Sequence, residues 1–189
     1  MRRSVLLAAL LALAVLAPPA TADMTGYAVK HVFLTVEPDV AVGATSVDTI
    51  DAGSIQRGEV EVTIPFRVDA NQESLSLYVT ASPLFKGDDP SNNDVSPIDL
   101  CGWVEIYPTN ASPMAGGSNR PTPVGDDFID AFPALVFESI DFESSQNGHF
   151  SQDVDVIVCW NQDEFEKPVG EYSGLVKLTA VLFDFDGSI

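Results

Sequence analysis

From Val60 to Val68 every even-numbered residue is apolar (Val60, Val62, Ile64, Phe66, Val68), while Glu61, Thr63, Pro65 and Arg67 hold the odd positions. A period of two is that of a strand with one face in a core and the other in water, and a helix with its period of 3.6 cannot bury such a pattern. A polar tetrad, Asp69-Ala70-Asn71-Gln72, interrupts it, after which Leu75, Leu77, Val79 and Ala81 alternate with Ser74, Ser76 and Thr80. Two such runs around a short turn predict an antiparallel β-hairpin.

The rest of the chain repeats this logic. Val32, Leu34 and Val36 alternate with His31, Phe33 and Thr35, which predicts a strand over Val29 to Val36 that Pro38 ends. Val40 and Val42 form a second apolar pulse leading into an irregular Gly43 to Gly58 connection, with a short strand expected around Val47 to Ile50. Ser82 to Asp94, dense in proline, glycine and Asx residues, reads as an exposed loop. Strand signal returns at Ile98 to Tyr107, with Leu100, Val104 and Ile106 on one face and Cys101, Trp103 and Tyr107 on the other. Pro108 to Asp127 carries no pattern and is the natural partner-facing loop. Further strands are expected near Leu135 to Ile140, over Phe150 to Trp160, and over Tyr172 to Leu182 with Tyr172, Gly174, Val176, Leu178, Ala180 and Leu182 on one face. Seven or eight strands separated by turns, with almost no helical pattern, predict an all-β, antiparallel, immunoglobulin-like β-sandwich.

Residues 1–22 stand apart from this pattern. Arg2 and Arg3 precede an apolar stretch from Val5 to Leu16, and Ala20-Thr21-Ala22 gives a small-x-small cleavage site, the layout of a signal peptide. The apolar stretch is shorter than the roughly 20 residues a bilayer span needs, so no membrane insertion is expected. The reading is a single domain over residues 23–189, secreted to the periplasm, cell surface or extracellular space. The chain has 9 Lys and Arg against 28 Asp and Glu. Setting aside Arg2 and Arg3, the only charges in residues 1–22, leaves 7 against 28, a net of −21. Such a surface repels nucleic acid and anionic membranes, and its plain reading is a well-solvated acidic exterior. Cys101 and Cys159 form an even pair in an oxidising compartment and are expected to make one structural disulfide.

Enzyme constellations are not found. The chain has no Gly-x-Ser-x-Gly elbow, no His-Glu-x-x-His, no phosphate-binding glycine loop and no CxxC. Its two histidines, His31 and His149, read as packing or solvent-facing groups, and paired carboxylates among 28 acids single out no catalytic dyad. A non-enzymatic protein is expected. Trp103, Tyr107 and Trp160 are the candidates for a ligand surface, through stacking on sugar rings, although Trp103 and Trp160 also flank the expected disulfide, where aromatics pack as core. Asp88, Asp89, Asn92, Asn93 and Asp94 gather oxygen ligands in one loop, and Asp126, Asp127 and Asp130 in another. Calcium is the cation such sets would take, though acidic loops are usually only solvated.

The alternating N-terminal run Val29 to Val36, together with the closing strand Gly170-Glu171-Tyr172-Ser173-Gly174-Leu175-Val176-Lys177-Leu178-Thr179-Ala180, resembles the pilin and spore-coat-U-like subunits of bacterial surface fibres. The resemblance covers about 25 residues at the two ends. The middle and late cysteines and the extension Phe183 to Ile189 depart from it. It implies a sandwich lacking one strand, completed by the N-terminal strand of a neighbour, with Val32, Leu34 and Val36 filling core pockets. Partners would then be copies of the chain or another surface protein. The alternative is a monomeric secreted module binding carbohydrate or protein through the Pro108 to Asp127 loop.

Overall fold

The computed structural model describes residues 37–45 and 49–183, with Lys30 and Leu34 ahead of them. The chain divides between Val36 and Glu37, and every strand below belongs to the unit that begins at Glu37. In chain order the strands are β1 (Val40–Ala44), β2 (Gly58–Ala70), β3 (Ser74–Ala81), β4 (Phe85–Lys86), β5 (Asp99–Pro108), β6 (Ala111–Pro113), β7 (Pro123–Ile129), β8 (Phe132–Phe137), β9 (Ile140–Ser144), β10 (Phe150–Gln162), β11 (Tyr172–Ser173) and β12 (Val176–Leu182). One sheet has the order β1-β2-β10-β5. The other has β12 on one edge of β3, with β9 and β8 on its far edge, followed outward by β6 and β7. All pairings are antiparallel, and β4 with β11 makes a separate ribbon. The expected all-β sandwich is therefore present, with more strands than seven or eight because several are only two to five residues long.

The hairpin expectation fails in an informative way. β2 and β3 do not pair; they lie in different sheets, joined by an arch at residues 71–73. Alternation says which face of each strand is apolar but not whether the two faces lie side by side or opposed, and here they are opposed across the core. Asn71 fixes the arch. Its side chain accepts from the Asp39 N–H (2.7 Å) and donates to the Glu37 carbonyl (2.8 Å), and its own N–H donates to the Asp39 carbonyl (3.2 Å). The core between the sheets holds Val68, Leu75, Leu77, Val104, Phe142, Phe150 and Val156, all without exposure. Each such side chain stabilises by about 1.5–3 kcal/mol relative to leaving it in water. Buried Gln152 is satisfied, its side-chain oxygen accepting from the Asn110 N–H.

Other expectations are refined. The closing run is two strands, because the chain breaks at Gly174 and Leu175, leaving β11 on β4 and β12 on β3. Leu135 to Ile140 is split at Glu138 and Ser139 between β8 and β9. Pro108 to Asp127 is not structureless: it holds β6, a short 3-10 turn (Met114–Gly116) and the start of β7. The Val40 pulse is a true strand, whereas Thr49 and Ile50 lie in none and residues 46–48 fall outside the described residues.

The acid excess is accommodated by register. On the outer face of the four-stranded sheet Glu61 lies opposite Cys159, Asp155 opposite Pro65, Asp153 opposite Arg67 and Asp69 opposite Ser151. No two of these carboxylates face each other directly, which is the destabilising arrangement in a sheet. Among the described residues no helix is long and apolar enough to cross a membrane.

Candidate functional site

The flank bounded by β2 and β12 is left unfinished along much of β2. β2 is thirteen residues long, but β1 pairs only with its end, from Val40 against Ala70 to Ala44 against Phe66. Among the described residues no strand continues the ladder beside residues 58–65. Side-chain exposure follows. Val156 and Val158 on β10 have neighbours on both sides and are fully buried, while their partners across the ladder, Ile64 and Val62, are only half-buried. In the facing sheet Leu75, Leu77, Val79 and Ala81 of β3 are fully buried, while on the edge strand β12 Leu178 is buried and Val176, Ala180 and Leu182 are half-buried. An apolar seam is left between two sheet edges, over roughly 26 Å at about 3.3 Å per residue for eight residues of β2.

Pro65 marks the same edge. Proline has no N–H for a ladder and belongs on an unpaired side. The Pro65 carbonyl takes a bond from the Thr45 hydroxyl (3.2 Å), so this residue's backbone groups point away from β10, to the side on which β1 ends. Of the residues expected to exchange strands, Val32 and Val36 lie outside the described residues. Leu34 is 89% exposed and in no strand.

The aromatic set is divided. Gly102, at φ +83°, allows a bulge in which Cys101, Gly102 and Trp103 face the single residue Cys159. Cys101, Trp103 and Tyr107 therefore share the outer face of β5, and the Cys101–Cys159 disulfide forms there across neighbouring strands, Cα to Cα 5.3 Å. Trp160, one residue on, points the other way: it is 4% exposed and its Nε1–H donates to the Ser82 carbonyl (3.0 Å), so it belongs to the core and not to a ligand surface. Trp103 is covered by Arg120, whose guanidinium carbon lies 3.7 Å from the ring centroid. Tyr107 alone is open, at 42% exposure, and its hydroxyl donates to Glu105 (2.9 Å), which raises the phenol's pKa above its usual value.

The acidic loop uses its oxygens on itself. Asp89 accepts from the Ser91 N–H and hydroxyl, Asn92 from the Asp94 N–H, and Asp88 from the Ser173 hydroxyl. These are turn-closing bonds, and the carboxylates of Asp88, Asp89 and Asp94 do not converge on one point. Among the described residues the one group of three possible ligands within 4.8 Å is Glu59 with Cys101 and Cys159, whose sulfurs are spent in the disulfide.

A latch the sequence did not single out holds the loops at the far end. The Lys167 side chain is 6% exposed, and its ammonium donates to the Ser96 and Pro97 carbonyls (2.9 Å each) and pairs with Glu164 (2.9 Å). The Glu164 carboxyl is held below its ordinary pKa, first by Lys167 and then by Ser96; Asp69 is held low by Arg67 and then Ser151. A lowered folded-state pKa adds stability above the ordinary carboxylate value of about 4, and that stability is lost as pH falls through the folded value. The urea midpoint is expected to drop from about pH 5 to about pH 2, and to drop less in Lys167→Met, as followed by tryptophan fluorescence.

No protein-family model matches the chain, and no curated protein matches it either.

Proposed function

We propose that the chain is a non-enzymatic structural or adhesive protein, exported to the cell surface or beyond. In this reading it assembles when the Val29 to Val36 segment of one copy adds to the open flank of the next. The observation that carries it is the unpaired stretch of β2 with half-buried Val60, Val62 and Ile64. An eight-residue donor with period two and apolar Val32, Leu34 and Val36 matches an eight-residue edge whose inward side chains have the same period. Strand addition supplies main-chain bonds for affinity and alternate side chains for fit. The module alternative has less support, since burial of Trp160 and the cover over Trp103 leave Tyr107 as the one open member of the three candidate aromatics.

The test is light scattering of residues 23–189 beside the same chain without residues 23–36. Polymers in the first and monomers in the second are expected. A stable monomer of the longer chain would overturn the reading.

A further inference from the structure

We infer that residues 114–122 are a strap that closes the β5 edge, so that within the four-stranded sheet only the opposite flank is left to accept a strand. β5 is the outer strand of its sheet, and an uncovered outer strand is a template for any extended chain. The strap leaves β6 in one sheet and crosses to β5 in the other, where the Asn119 carbonyl accepts the Ile106 N–H at 2.9 Å. It then returns, its Thr122 carbonyl accepting the Glu138 N–H at 2.9 Å before β7 begins at Pro123. Arg120 fastens it from the outer face: its guanidinium lies on the Trp103 ring and its Nε is 3.7 Å from a Glu105 carboxylate oxygen.

The strap covers the edge without extending the sheet. Ala115 and Gly116 have φ of +55° and +71°, and Pro121 has no N–H, so the segment cannot continue a ladder or offer one to a further strand. It takes one bond near the middle of β5 and stops there. What it excludes is an extended segment of a second copy. This inference is independent of strand donation, because an open β5 edge would pair with any strand presented to it.

The experiment uses residues 23–189 carrying Arg120→Glu, which removes the cation from Trp103 and sets a carboxylate beside Glu105. Amide exchange at Ile106 is expected to speed up at least tenfold while Val156, inside the sheet, stays protected. New association by light scattering is expected, and it should persist when residues 23–36 are also removed, a deletion that abolishes strand donation alone. Arg120→Gln, without added repulsion, should show the same direction, and Arg120→Lys should restore Ile106 protection. Unchanged exchange at Ile106 in Arg120→Glu would overturn the strap's fastening. Faster exchange with no change in mass would overturn its role as an edge cover.

Discussion

Gly174→Ala is expected to destabilise the sandwich by about 3 kcal/mol, a large effect for a single methyl group. A Cβ at this position would lie 2.6 Å from the Pro83 carbonyl oxygen, 2.7 Å from the Ser82 hydroxyl and 3.0 Å from a Leu84 methyl. Ordinary contacts need about 3.5 Å or more, and the nearest atom is backbone, which cannot swing aside. The crowding has a cause. Here the chain leaves the β4 ribbon for β3, and Ser82 is the hub of that change. Its N–H donates to the Leu175 carbonyl, its hydroxyl accepts from the Leu175 N–H, and its carbonyl accepts from Trp160. Pushing Gly174 away breaks the hub and loosens β12, an edge of the seam. Urea unfolding followed by tryptophan fluorescence measures it; a loss below about 1 kcal/mol would show that the loop at Ser82 and Pro83 yields freely.

The second large effect is loss of the disulfide. Cys101 and Cys159 are 58 residues apart in sequence, and closing a loop of that length stabilises by about 4 kcal/mol in the chain-entropy model. Cys101→Ser with Cys159→Ser is expected to lose at least that much, because Cys159 has no exposure and its replacement by a hydroxyl also buries a polar group. Comparison of oxidised and reduced protein in urea checks it without mutation. Equal midpoints would mean that the β5 to β10 ladder holds the bulge unaided.

How much of this was legible in sequence depends on what alternation can encode. It identified the inward residues of β2 and β3, and these lie in the core or pack against it. It could not say that β2 and β3 are arched, because period two fixes a strand's faces and not its neighbours. The closing run kept its parity through Gly174, so the sheet change there was invisible; the glycine was the signal, as a position that tolerates no side chain. The adjacency of Cys159 and Trp160 in a strand already placed them on opposite faces, which removes Trp160 from any surface shared with Cys159. Pro65 inside a strongly alternating run was a sign of an unpaired edge, since a fully paired strand has no place for it. Arg120 and Lys167 act over 17 and 71 residues of sequence, on Trp103 and Ser96, and no local pattern announces either contact.

Strand addition at the open flank is to be read from amide exchange across Val60 to Ile64, in residues 23–189 before and after assembly. These N–H groups alternate between β10 and the flank, so those facing the flank should exchange fast in dispersed chains and slow by at least tenfold on assembly. The deletion of residues 23–36 should abolish that slowing. Flank-facing amides already protected in dispersed chains, or equally exposed in assembled ones, would contradict strand addition at this edge.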